Sequence, residues 1–202
     1  MTTYTSLLKK TGKTVSYHAG DDGDLEKGVA SSYTILNTGQ YSGTVDVTMG
    51  GNTVAISNNC IQDNVTGLMM TVDISPVGIG SDPYEKGPAG TMTWSDDVDG
   101  NGAFLYAGAV NKAVLGGHAD WRVPNIEEII AFWSYGAHFP QGDLPSGIWT
   151  STPVDISGAF YFYYGLIPQD LMTAIHYVLL VRGDPTAPAG GGGGSLIGGM
   201  VD

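Results

Sequence analysis

The sequence predicts an α+β domain in which two helices sit between an early and a late group of short strands. Three observations carry that expectation. Apolar and polar residues alternate at Tyr41 to Thr48 (YSGTVDVT) and Thr53 to Ser57 (TVAIS), and β-branched and aromatic runs return after Ile148. Ile126, Ile129, Ile130 and Trp133 recur at i, i+3, i+4 and i+7, the spacing of one buried helical stripe. Charged residues make up 14% of the chain, against roughly 25% in ordinary soluble domains, while glycine numbers 31 and tyrosine 11. Such a chain makes strands, turns and irregular loops rather than a helical bundle.

The elements follow in order. Residues 1–30 are polar and glycine-rich, with an acidic loop at Asp21, Asp22 and Asp24 whose carboxylates suit local turn hydrogen bonds. Gly50-Gly51-Asn52 parts the first two alternating runs and predicts a hairpin. Asp63 to Gly67 (DNVTG) is a turn signal before the apolar run Leu68 to Val72, and residues 75–102 read mostly as loop. A first helix is expected over about Ala103 to Leu115, closed by Gly116-Gly117. A second begins after Pro124, with Asn125 placed as N-cap and Glu128 completing a capping box. Ile148 to Thr152, Ala159 to Tyr164 and Ile175 to Val181 read as strands. Five consecutive glycines then make residues 184–202 a flexible tail, carrying the apolar pairs Leu196-Ile197 and Met200-Val201. The domain is expected to span residues 1–183.

Charge and cysteine content exclude several classes of function. Eight Lys and Arg against twenty Asp and Glu give a net charge of −12, so a phosphate backbone or an anionic membrane would be repelled. No stretch approaches the roughly 18 apolar residues of a membrane span. The first residues lack the apolar core of a secretory signal, so synthesis and folding in a cytoplasm are expected. Cys60 is alone, which excludes an intrachain disulfide and any zinc site built on two cysteines. His18, His118, His138 and His176 are scattered and fit neither HExxH nor a Ser-His-Asp order, so no catalytic residues and no enzyme are expected.

Asp97, Asp99 and Asn101 open a D-x-D-x-N-G string with oxygen ligands at alternate positions, as a Ca²⁺ loop requires. Gly108 stands where such a loop needs its bidentate acid, and a plain Asx-turn loop accounts for the same residues. In Asp120-Trp121-Arg122 the expected roles are structural, with Trp121 in the core and Arg122 on a carboxylate or on strand carbonyls. Trp149 is expected in the core as well.

The blocks KTGKTVSYHAGDDGDLEKGVA (Lys10 to Ala30), DNVTGLMM (Asp63 to Met70), Thr93-Trp94, GGHADWRVPNIEEI (Gly116 to Ile129), WTST (Trp149 to Thr152) and VLLVRG (Val178 to Gly183) carry a family likeness. In these blocks the chain resembles the C-terminal domain family of the Legionella collagen-like adhesin, over about residues 8–183. The resemblance implies a C-type-lectin-like fold of the formylglycine-generating-enzyme variant: two helices flanking a small twisted, mainly antiparallel sheet with long irregular loops. A formylglycine-generating activity would need a cysteine pair, and only Cys60 exists. The family often has Trp where this chain has Met70, and cysteines at the positions matching Ala107 and Leu180. Their replacement by apolar residues suits a reducing compartment.

The resemblance also locates a binding face in residues 153–176, where the lectin-like fold presents ligand contacts. Asp155, Ser157, Tyr161, Tyr163, Tyr164, Gln169, Asp170 and His176 are the candidates: aromatic faces to stack and short polar groups to adapt. Period two in AFYFYY turns about half of its side chains inward, and the sequence leaves open which half. The expected function is that of a non-enzymatic phage virion surface protein, assembled in the host cytoplasm. Its expected partners are a host surface glycan or protein, other virion proteins and copies of itself, with a trimer favoured. The alternatives are a glycan-binding adhesin on a bacterial surface and a purely structural virion protein.

Overall fold

A computed structural model describes Val15, Tyr17, Ala19, residues 32–73, Ser75 and residues 90–94, 102–134, 147–163 and 165–183. It shows an α+β architecture of short antiparallel strands and two helices. Strands β1 (Tyr33–Leu36), β4 (Cys60–Asp63), β5 (Met69–Thr71) and β9 (Val181–Arg182) form one sheet in the order β1-β4-β5-β9. Strands β2 (Thr44–Met49) and β3 (Asn52–Ser57) form a hairpin, and β6 (Ile148–Pro153), β7 (Gly158–Phe162) and β8 (Gln169–Leu171) form a third sheet. Helix α1 spans Ala103–Ala113 and α2 spans Ile126–Ser134.

Alternation along the strands divides the interior into two cores. Cys60, Met69, Trp149, Val178 and Leu180 enter the first, with Tyr106, Ala107 and Val110 of α1 and the inner face of the hairpin. Their neighbours Ile61, Met70, Ile148, Leu179 and Val181 enter the second, with Ile129 and Phe132 of α2. Side chains along these segments alternate between the two cores, so apolar runs such as Leu68 to Val72 and Val178 to Val181 are covered on both sides. Ala107 and Leu180 lie in the same core, and apolar packing fills it without a cross-link.

The capping box forms as expected: the Asn125 side chain accepts from the Glu128 amide at 2.9 Å, and the Glu128 carboxylate accepts from the Asn125 amide at 2.9 Å. The hairpin turns at Gly50-Gly51, both at positive φ, with Thr48 facing Thr53. Several boundaries are corrected. Tyr41 belongs to a 3₁₀ turn, not to the strand, which starts at Thr44. The first helix ends at Ala113 with Val114 in the left-handed conformation, and Leu115–Gly117 continue as a 3₁₀ turn. Gly116 is therefore no cap. It has φ 59°, and a Cβ there would lie 2.9 Å from the Tyr41 ring. The expected strand Ile175 to Val181 is reduced to bridges at His176 and Tyr177 and the short β9. Side-chain hydroxyls interrupt the ladder: the Val178 amide donates to Ser75 Oγ and the Leu180 amide to Thr71 Oγ1. β1, β4 and β8 were not expected. They are three or four residues long and take their strand character from their partners.

Candidate functional site

The family-like blocks from Asp63 onward are scaffold, and the block Lys10 to Ala30 lies almost wholly outside the described residues. In DNVTG, buried Asp63 accepts from the Val65 amide (3.0 Å) and the Thr66 hydroxyl (2.7 Å), and the Gly67 amide closes on its carbonyl (2.7 Å). In DWRVPN each residue has a structural duty. Asp120 takes Arg182 through both oxygens (2.7 and 3.2 Å), and the pairing holds the Asp120 carboxyl below its usual range. Trp121 is 2% exposed and donates its indole N–H to the Leu115 carbonyl. Arg122 forks onto Glu128 (2.5 and 2.7 Å), and its backbone pairs with Val181. Pro124 accepts the Ser151 amide, and Asn125 caps α2. Trp149 is fully buried and donates to the Met92 carbonyl.

The third sheet differs in this respect. Its β6–β7 turn is held by one carboxylate oxygen: Asp155 Oδ1 accepts the Ser157 amide (2.7 Å), the Ser157 hydroxyl (2.9 Å) and the Gly158 amide (2.9 Å). Those donors, the Ser157 amide first, hold the Asp155 carboxyl below its usual range. A cleft of about 290 Å³ lies between this turn and β8, lined by Val154, Asp155, Ser157, Gly158, Gln169, Asp170 and Leu171. Ile156 is fully exposed at the tip of the turn.

Behind the cleft stands an aromatic stack. The His176 ring lies 3.9 Å from the Tyr161 ring, nearly parallel, and meets the Trp149 ring edge-on at 4.5 Å. Its Nε2 is 3.2 Å from Asp170 Oδ2. Burial lowers the His176 pKa below the ordinary histidine value, against the pull of Asp170. A second histidine, His118, has its Nε2 2.9 Å from the Tyr41 hydroxyl. Burial, followed by the nearby Arg182 charge, lowers its pKa too.

The structure therefore brings four expected residues, Asp155, Ser157, Gln169 and Asp170, to one cleft. It places His176 inside, at 7% exposure, and leaves Tyr161 half-buried against the first core. Within AFYFYY, Ala159 and Tyr161 face the first core while Phe162 enters the second. Tyr163 lies at the far end of β7, paired with Leu166, and Tyr164 lies outside the described residues. So do Asp97, Asp99 and Asn101 of the calcium-like string. Among the described residues no group of three or more His, Cys, Asp or Glu could hold a metal ion. Sequence reasoning missed the walls, Val154 and Leu171. Their signal was an apolar residue beside a tight turn, which marks a core as readily as a surface.

The molecule thus defines a class: a disulfide-free α+β scaffold with one helix against each core and its exposed cleft on a separate small sheet. The Lcl C-terminal domain model matches residues 59–182, more than half of the chain. The chain belongs to that family. No curated protein matches it.

Proposed function

We propose that this is a recognition module with a C-type-lectin-like fold, which displays the β6–β7–β8 end to a foreign surface and performs no chemistry on it. One observation carries the reading. Of the ten exposed large apolar side chains among the described residues, five lie between residues 154 and 171, and three of these, Val154, Ile156 and Leu171, stand at the cleft end of the third sheet, with Tyr163 and Leu166 at the other end of β7. Apolar groups gathered on an otherwise polar surface mark contact sites, and the family-like blocks contribute none of the five. The ligand is a glycan or protein of a host surface, and a repeated, trimeric display would supply avidity.

The setting we propose is the surface of a phage virion, loaded in the host cytoplasm. Its support is the buried, unpaired Cys60 and the apolar Ala107 and Leu180 in a core that needs no oxidation. Membership of the Lcl C-terminal family favours a bacterial surface adhesin as the second reading. Labelled full-length protein incubated with a panel of bacterial cells tests recognition itself. Binding that falls at least tenfold in Ile156→Asp, at unchanged melting temperature, supports it. Absence of binding to every cell type leaves a purely structural role. Immunogold labelling then separates particle from cell envelope.

A further inference from the structure

Resting on the reading of the cleft as a recognition site, we infer that its ligand is an uncharged saccharide residue with an apolar edge, and that sulfated, sialylated or uronate-bearing glycans are rejected. The volume of about 290 Å³ is at the lower limit of small-molecule pockets and suits the end of a sugar chain. A protein partner would bury roughly 800 Å² on each side. The charge of the lining decides the next point. Among the described residues it includes two acidic ones, Asp155 and Asp170, and no Lys or Arg. An anion entering it meets like charge, with the neutral Gln169 amide and no cation to offset its lost hydration.

Among the described residues no third ligand joins Asp155 and Asp170 to complete a metal site. Asp155 Oδ1 already accepts three donors from its own turn. Asp170 gives Oδ1 to the Leu171 amide (2.8 Å) and Oδ2 to His176. Asp155 Oδ2 remains open beside the exposed Gln169 amide, while Asp170, which alternates with Gln169 and Leu171 along β8, turns its carboxylate toward His176; sugar hydroxyls donate to acceptors such as the first two. Val154 and Leu171 flank these groups and match the C–H face of a pyranose or the methyl group of a deoxy or acetamido sugar.

The test is a glycan array in which each neutral oligosaccharide is printed beside its sulfated, sialylated and amine-bearing counterparts. It is probed with the full chain, with Leu171→Glu and with Gln169→Arg. Neutral members should bind, lose at least tenfold in Leu171→Glu, and yield to anionic members in Gln169→Arg. Melting temperatures of both variants should match the parent, since Leu171 and Gln169 are exposed. Preference of the parent for anionic or amine-bearing members, lost in Leu171→Glu, overturns the inference and keeps the cleft as a recognition site. Binding that ignores Leu171→Glu, or no binding anywhere on the array, overturns the saccharide assignment. The cell-binding result with Ile156→Asp then decides whether recognition itself survives.

Discussion

Asp170 reaches from the rim of the cleft to the buried ring of His176, 3.2 Å from its Nε2, and with its other oxygen accepts the amide of Leu171. One carboxylate thus ties the edge of β8 to the aromatic stack beneath it. Ligand-facing and core-facing groups meet there.

Stability should fall as pH drops below about 6.5, the ordinary histidine value. His176 and His118 both have lowered pKa values in the folded state, so the unfolded chain takes up their protons first. Their stabilisation is complete above the unfolded value and is lost as pH falls toward the folded one. Melting temperatures between pH 8 and pH 5.5 should show this slope, and His176→Phe should flatten it. An unchanged slope in that variant would assign the dependence to other groups.

Glu128→Ala should cost about 2–4 kcal/mol in urea unfolding. It strips a buried acceptor from Arg122 and removes half of the capping box. Glu127→Ala, one position away on the exposed face of α2, should cost under about 0.5 kcal/mol.

Gly147→Ala should destabilise by about 1–3 kcal/mol through overpacking. A Cβ there would lie 2.0 Å from the Tyr161 ring, which is itself stacked on His176. The same variant should weaken ligand binding, since the displaced ring backs the cleft. Unaltered binding at reduced stability would separate the stack from recognition.

Cys60 should resist thiol reagents in the native protein and react on unfolding. Burial pushes its pKa up to about 12, so thiolate is scarce at neutral pH. Rapid labelling under native conditions would show that the first core opens locally.

The parts of the fold legible in sequence were those fixed by local chemistry. The Asn125–Glu128 box, the Gly50-Gly51 turn and the alternation of β2 and β3 need only near neighbours. What escaped depends on distant ones. β4 is extended because Tyr33–Leu36 and Met69–Thr71 flank it, and Val178 to Leu180 leave the regular ladder because Ser75 and Thr71 supply hydroxyls. Of the site, the polar contributors Asp155, Ser157, Gln169 and Asp170 were readable as turn and rim residues. His176 was not, because its burial is set by Tyr161 and Trp149, neither of which adjoins it in sequence.

The run from Val178 to Val181 is the seam between the two cores, and it emerges from the ribosome after almost every other described residue. Until it arrives, Met69 and Trp149 on one face and Met70 and Ile148 on the other lack their shared neighbour. Closure must therefore await the synthesis of residues 178–181, and long-range pairings such as Thr71 with Leu180 set a slow pace. The nascent chain spends that interval with apolar surface bare, which makes premature termination just short of residue 178 a route to aggregation.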